Sequence, residues 1–264
     1  MRHPDEHGIP GQQSSSAAYL AWTRKEMCMR AAASATLTVL FLASASGATA
    51  QTPTAPKPAT DIYHVHFTKA APGQAAALAK EQSQPDATAA MPDHFVVFRH
   101  HEGDDWDFAS IQHLGAKPTI SIPPPPAAGA PANSAWHSDT FVSGPSWADF
   151  TREMGIGGTG KPGAVYVLAV HRAVPGHRPQ LEQALSAPAA ADAKIKTGTV
   201  LMQHVEGGEW QFLTITRYDS WQDFGADRAA AAAASAAAPG GWADIRQHSA
   251  FHRDTIADRV HPVK

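Results

Sequence analysis

The sequence predicts an α+β fold made of two tandem β-α-β-β-α-β units of the ferredoxin-like plan. Three observations lead there. Three short blocks occur twice, in the same order, along the 264-residue chain. Each copy opens on a strict alternation of apolar and polar residues. Each then carries a Glu-Gly turn between two apolar runs, which is the pattern of a hairpin.

The first block is residues 63–73, YHVHFTKAAPG, matched by residues 166–176, YVLAVHRAVPG. Tyr63, Val65 and Phe67 alternate with His64, His66 and Thr68, and Tyr166, Leu168 and Val170 repeat the period, so each segment reads as a half-buried strand. The Pro-Gly pairs at 72–73 and 175–176 end these strands, and residues 74–82 and 177–185 read as helices. The second block, 96–108 (VVFRHHEGDDWDF), matches 200–212 (VLMQHVEGGEWQF). It predicts strands over 95–101 and 106–112, with Gly103 and Gly207 permitting the turn. The third block, 134–140 (SAWHSDT), matches 249–255 (SAFHRDT) and closes each copy after a helical or irregular region.

The copies differ in that region. The first holds a Pro-rich insertion at 120–133, which cannot be the interior of a helix. The second holds residues 227–238, nearly all alanine, which should be helical until Pro239-Gly240-Gly241. The expected division is a first repeat over 61–154, a Gly-rich linker over 155–163 and a second repeat over 164–264. A four-stranded unit with helices on one side leaves its other face bare, and two such units cover each other around a central space. If Tyr63, Val65 and Phe67 pack under the helices, His64, His66 and Thr68 face that space, joined by His171, which aligns with Thr68.

The N-terminus reads as an export signal over residues 1–50. Arg24, Lys25 and Arg30 lead into a short apolar core around residues 37–42, and Ala48-Thr49-Ala50 supplies a cleavage site before Gln51. The core is too short to remain as a membrane anchor. Residues 1–26 are long for such a signal, so Met27 or Met29 is the more ordinary start. Residues 51–60 form a Pro/Thr/Ala linker. Cys28, the one cysteine, falls inside the signal, leaving a mature protein with no disulfide and no cysteine metal site. Removal of the signal takes four basic and three acidic residues and leaves a net charge of −4, which offers nothing to nucleic acid. The expected localisation is periplasmic or secreted, as a monomer or homodimer.

Among 15 histidines, two positions recur in both copies, His100 with His204 and His137 with His252. They are the candidates for catalysis, and equally for histidines that help each half fold. Acid–base pairing of Glu102 with His137 or of Glu206 with His252 is conceivable. His64, His66, His171, Glu102 and Glu206 are the candidate ligand-binding residues. The His64-x-His66 spacing can hold a metal on one side of a strand, but the second copy has Val167 and Ala169 there and no third ligand is fixed. The expectation is therefore no metal, and the residues name no cofactor. Trp106, Trp210, Phe108 and Phe212 recur at matching hairpin positions and read as packing. A Gly-x-Ser-x-Gly elbow, a phosphate loop and a His-Glu-x-x-His motif are all missing from the sequence.

With these blocks, the chain resembles the dimeric α/β-barrel superfamily, which includes stress-responsive barrel domains, NIPSNAP-like proteins and cofactor-free antibiotic-biosynthesis-type monooxygenases. The resemblance runs from residue 62 to about residue 260. It implies an intramolecular dimeric α/β barrel, and with it three readings. The first is an exported binder of a small apolar or aromatic molecule in a cavity between the sheets. The second is a cofactor-free monooxygenase or haem-linked enzyme using His100, His204, His137 and His252. The third is an interaction module whose barrel is filled.

Overall fold

A computed structural model describes residues 61–84, 91–116, 133–158, 161–187, 195, 197–234 and 241–262. The signal region 1–50, the 51–60 linker, all of the Pro-rich insertion except Asn133, and the alanines beyond 234 lie outside the described residues. In chain order the elements are β1 (Asp61–Ala70), α1 (Ala75–Gln82), β2 (Phe95–Glu102), β3 (Phe108–Gly115), β4 (Ser134–Gly144), α2 (Trp147–Met154), β5 (Val165–Ala173), α3 (Arg178–Ser186), β6 (Gly198–Gly207), β7 (Phe212–Tyr218), α4 (Trp221–Ala233), α5 (Trp242–His248) and β8 (Ser249–His261). The eight strands form one closed antiparallel barrel in the order β1-β3-β2-β8-β5-β7-β6-β4. Among the described residues no helix is long and apolar enough to cross a membrane.

Two seams close the barrel, and the duplicated blocks make both. On one seam β2 pairs with β8, with Glu102 opposite Ile256. On the other β4 pairs with β6, with Thr140 opposite Gly207 and Phe141 opposite Glu206. Each Glu-Gly turn is thus seated on the Asp-Thr block of the other half. The Thr255 hydroxyl accepts from the backbone N–H of Asp104 at 3.2 Å, and the Thr140 hydroxyl accepts from that of Gly208 at 3.1 Å. Gly103 and Gly207 have φ of +131° and +111°, and a Cβ on them would lie 2.2 Å from the Asp254 carbonyl oxygen and 2.3 Å from that of Asp139. Glycine is required twice over, by backbone conformation and by contact.

One apolar cluster fills the barrel and draws on every strand: Tyr63, Val65 and Phe67 of β1 meet Phe98, Ile111, Val142, Tyr166, Leu168, Met202, Ile215 and Ala257. A closed barrel needs bulky apolar side chains inside, and the even-numbered positions of β1 cannot supply them. His64, His66 and Thr68 therefore point outward, which reverses the orientation expected from the sequence. The outer face confirms the parity. Leu78 of α1 packs with Phe95, Val97, Phe108 and Ala70, and Leu181 of α3 packs with Phe212, Ala173 and Ile245 of α5.

Helix α2 is not announced by the repeated blocks. Its start has a local signal, since the Ser146 side chain accepts from the Asp149 N–H, and it ends on Gly155 in the left-handed region. Phe150 and Met154, four residues apart on one face, enter the barrel cluster. The two recurring tyrosines hold the ends of this helix: Tyr63 donates to the Pro145 carbonyl at 2.7 Å and Tyr166 to the Met154 carbonyl at 2.9 Å. Burial pushes both phenols above their usual pKa, so they remain donors. Helix α4 starts at Trp221, earlier than the alanine run suggests, because Ser220 caps it through the Asp223 N–H.

His171, on the outer face of β5, is buried at 5 % exposure with its Nε2 3.4 Å from the Thr214 hydroxyl. Burial, helped by the charge of His252, pushes its pKa down to about 4. His171 is neutral in the folded protein, whereas the unfolded chain takes up the proton as pH falls through 6.5.

Two outcomes are expected. Gly207→Ala should lower unfolding free energy by about 3 kcal/mol in urea titrations, against about 1 kcal/mol for Gly73→Ala, since a Cβ on Gly73 meets nothing within 4 Å; equal losses would refute the clasp. Stability should fall by roughly 3 kcal/mol through His171 alone as pH drops from 6.5 towards 4. His171→Thr, carrying the residue of the aligned position, should flatten that limb of the pH–stability curve, and an unchanged slope would show that His171 titrates normally.

Candidate functional site

Three places in the barrel bring polar or aromatic groups together, and each is fixed by strand parity. The first is the mouth at which β1 and β5 end and β4 and β8 begin. Odd-numbered positions of β1 face inward there, as do even-numbered ones of β4 and β5 and odd-numbered ones of β8. A recess of ≈ 190 Å³ opens at this end. Its walls are Phe67, Trp106, Trp210, Trp136 and Phe251, with Val170 beside them. Asp104, Glu209, Arg253 and Ser138 complete the lining. Phe67 sits between the two turn tryptophans, its ring centroid 5.4 Å from that of Trp106 and 6.4 Å from that of Trp210. The guanidinium of Arg253 lies 3.4 Å from Asp104, and that of Arg172 lies 4.5 Å above the Phe251 ring. The recess is thus apolar at its floor and charged only at its rim.

His100 and His204 occupy inward positions of β2 and β6, each beside its own turn tryptophan at centroid distances of 5.6 and 6.2 Å. The Nε2 atom of each is buried and has no hydrogen-bond partner among the described residues. A buried imidazole nitrogen left without a partner costs of order 1–3 kcal/mol, and the same omission occurs in both halves. Among the described residues, the recurring histidines therefore do not brace the turns through Nε2; two buried polar atoms are left unbonded in the interior.

The other expected site residues are dispersed. Glu102 and Glu206 are exposed on the two seams. His137 pairs with Thr68 on the β1–β4 ladder and His252 with His171 on the β5–β8 ladder. Neither Glu102 with His137 nor Glu206 with His252 forms a hydrogen bond or ion pair among the described residues. The His252 ring stacks on that of His171 at 6.0 Å, and its Nδ1 lies against Arg246. His171 does not line a central space, since it lies under the α3 and α5 side of β5.

The second place is the outer face of β1 and β4. The Asp139 Oδ1 atom accepts from His64 Nε2 at 2.8 Å and from His66 Nδ1 at 2.7 Å. His137 Nε2 lies 3.5 Å from the other carboxylate oxygen. Burial lowers the proton affinity of His64. Burial alone would raise the Asp139 carboxyl, but the hydrogen bonds and charges of His66 and His64 together hold it below the usual carboxylate range.

The third place is the opposite end of the interior, where Arg217 and Arg259 lie about Tyr166. Arg217 is 6 % exposed and donates to the Thr197 carbonyl, yet Nε and Nη1 of both guanidiniums are buried without partners among the described residues. Burial and the charge of Arg217 lower the Arg259 pKa. These arginines lie outside the repeated blocks, and the position aligned with Arg217 is His113, bound to Asp61 at 2.9 Å. Only their inward parity on β7 and β8 could have revealed them.

No family model matches the chain, and no curated protein matches its sequence. Solved structures do match its shape. One is a candidate monooxygenase from Lactobacillus acidophilus NCFM, at 8% identity over 76% of this chain and 94% of that one, with a TM-score of 0.42. Another is an anthrone oxidase-like protein, at 15% identity over 76% of this chain and 92% of that one, with a TM-score of 0.50. The second shows the shared fold: the chain has the same α+β barrel architecture as that protein.

Proposed function

We propose that this is an exported protein of two ferredoxin-like repeats that binds a small aromatic molecule in the recess at the barrel mouth. The observation that carries the reading is the convergence of five aromatic side chains, from both halves of the chain, on one recess. Rings stacked edge and face around a planar ligand supply attraction beyond area burial. An apolar cavity of about 150 Å³ takes up benzene, so ≈ 190 Å³ suits a one- or two-ring compound. The recess is well below the roughly 300 Å³ at which drug-sized pockets begin, and a haem does not fit it.

The repeat assignment is supported by strand order. The halves run β4-β1-β3-β2 and β8-β5-β7-β6, the same arrangement twice. Export is supported by the basic lead-in, short apolar core and Ala48-Thr49-Ala50 of the N-terminus. The likeness to an anthrone oxidase-like protein, which speaks for fold, is compatible with an aromatic ligand.

A second reading, cofactor-free oxygenation of the bound aromatic, is favoured by one observation. The Nε2 atoms of His100 and His204, without partners among the described residues, lie beside the recess tryptophans though outside the recess lining. An imidazole reached by a shift of those rings can take a proton from a phenolic substrate.

For binding, the expectation is saturable quenching of tryptophan fluorescence by 1-naphthol, with a Kd raised at least tenfold in Val170→Trp, which fills the recess. Absence of saturable binding across one- and two-ring phenols sinks the proposal. For oxygenation, His100→Ala/His204→Ala should abolish oxygen uptake on such a phenol while shifting Tm by only a few degrees. Retained uptake, or a collapse in Tm, assigns these histidines to folding instead.

A further inference from the structure

From the geometry of His64, His66 and Asp139 we infer a binding site for a first-row divalent transition cation, of which zinc is the representative, on the outer face of the barrel. The site is independent of the mouth recess. One ligand atom from each residue lies within 4.8 Å of the others, a set of two imidazoles and one carboxylate. That composition suits zinc, and three protein ligands leave one position open.

The ligands stand on rigid backbone. His66 is directly opposite Asp139 in the β1–β4 ladder, His64 is opposite Phe141, and Thr68 is opposite His137. Metal–ligand bonds of about 2.0–2.2 Å in a tetrahedron require ligand atoms about 3.3 Å apart. The imidazole nitrogens are 2.8 and 2.7 Å from the shared carboxylate oxygen, so rotamer shifts of about half an ångström open the cluster to a cation without moving a strand. His137 is the natural fourth ligand. Its ring centroid is 5.2 Å from that of His66, and its Nε2 already lies 3.5 Å from Asp139. The His64 ring is braced on Phe141 at 5.0 Å, which fixes the direction of its Nε2.

The fold does not need this cluster. In the other half the same strand positions carry Val167 and Ala169, with Asp254 and His252 on the neighbouring strand. Equivalent backbone is therefore built with no imidazole at either β1-type position. Two histidines aimed at one carboxylate oxygen on one half alone are an addition to the barrel, and their donor set is that of a metal centre.

The test is Co2+ titration of the chelator-stripped full-length protein, read by visible d–d absorption, followed by displacement with Zn2+. The expected result is one equivalent of tight uptake with the intense bands of four-coordinate cobalt, and a Tm raised by Zn2+. His64→Val/His66→Ala, which installs the residues that the other half already folds with, should lose both the bands and the Tm shift. Asp254→Ala, on the other half, should keep both. Asp139→Asn should weaken uptake at least tenfold. Absence of stoichiometric uptake overturns the site, and so does uptake that survives in His64→Val/His66→Ala.

Discussion

The structure depends on the way each Glu-Gly turn is seated on the other half's Asp-Thr block. Two β-ladders, β2–β8 and β4–β6, join the halves, and at the end of each a glycine with positive φ lies where no Cβ could fit. A buried threonine hydroxyl then satisfies the turn's backbone N–H. Without these seams each half would be a four-stranded sheet with an apolar face in water. With them the sheet has no free edge, and the unpaired backbone that invites aggregation is eliminated. Closure also decides which side of every strand is the inside.

Everything placed inside follows from that decision. Tyr63 and Tyr166 reach one end of the barrel and hold α2 by its two ends, so Phe150 and Met154 plug it. The opposite end has no such plug among the described residues, and there the turn tryptophans and Phe67 leave the recess. His100 and His204 lie beside the turn tryptophans, with Nε2 buried and unbonded among the described residues, and neither lines the recess itself. The two halves are not chemically equal. Arg217 faces His113 across the alignment, and His64 and His66 face Val167 and Ala169. The recurring blocks build both seams and most of the mouth, and the residues that do not recur add Arg217, Arg259, His64 and His66.

Strands β1 and β5, the two hairpins and helices α1 and α3 are legible because periodicity and Pro-Gly punctuation are local, whereas the extent of β4 and β8 is not. The recurrence of Gly103 and Gly207 was visible too, but its cause was not. The contact is with a residue more than sixty positions away in one case and about one hundred and fifty in the other. Inward and outward parity on β1 is not legible in the sequence for a related reason. Alternation shows that Tyr63, Val65 and Phe67 share a side, but whether helices or another sheet cover that side is a tertiary matter. The His64-x-His66 spacing shows a pair and no third ligand, because Asp139 reaches it only through the β1–β4 register. In the sequence Asp139 stands only as part of a recurring block, where its aligned partner Asp254 has no imidazole pair opposite.

The central claim is that an aromatic molecule occupies the mouth, between Phe67 and the turn tryptophans. The most direct measurement is 19F NMR of protein labelled with 5-fluorotryptophan, with resonances assigned by single Trp→Phe replacements, before and after addition of 1-naphthol. The account predicts that Trp106 and Trp210 shift strongly and Trp136 with them, while Trp221 and Trp242, exposed on the outer helices, stay in place. Shifts confined to Trp221 and Trp242, or none at Trp106 and Trp210 at saturating ligand, would contradict it.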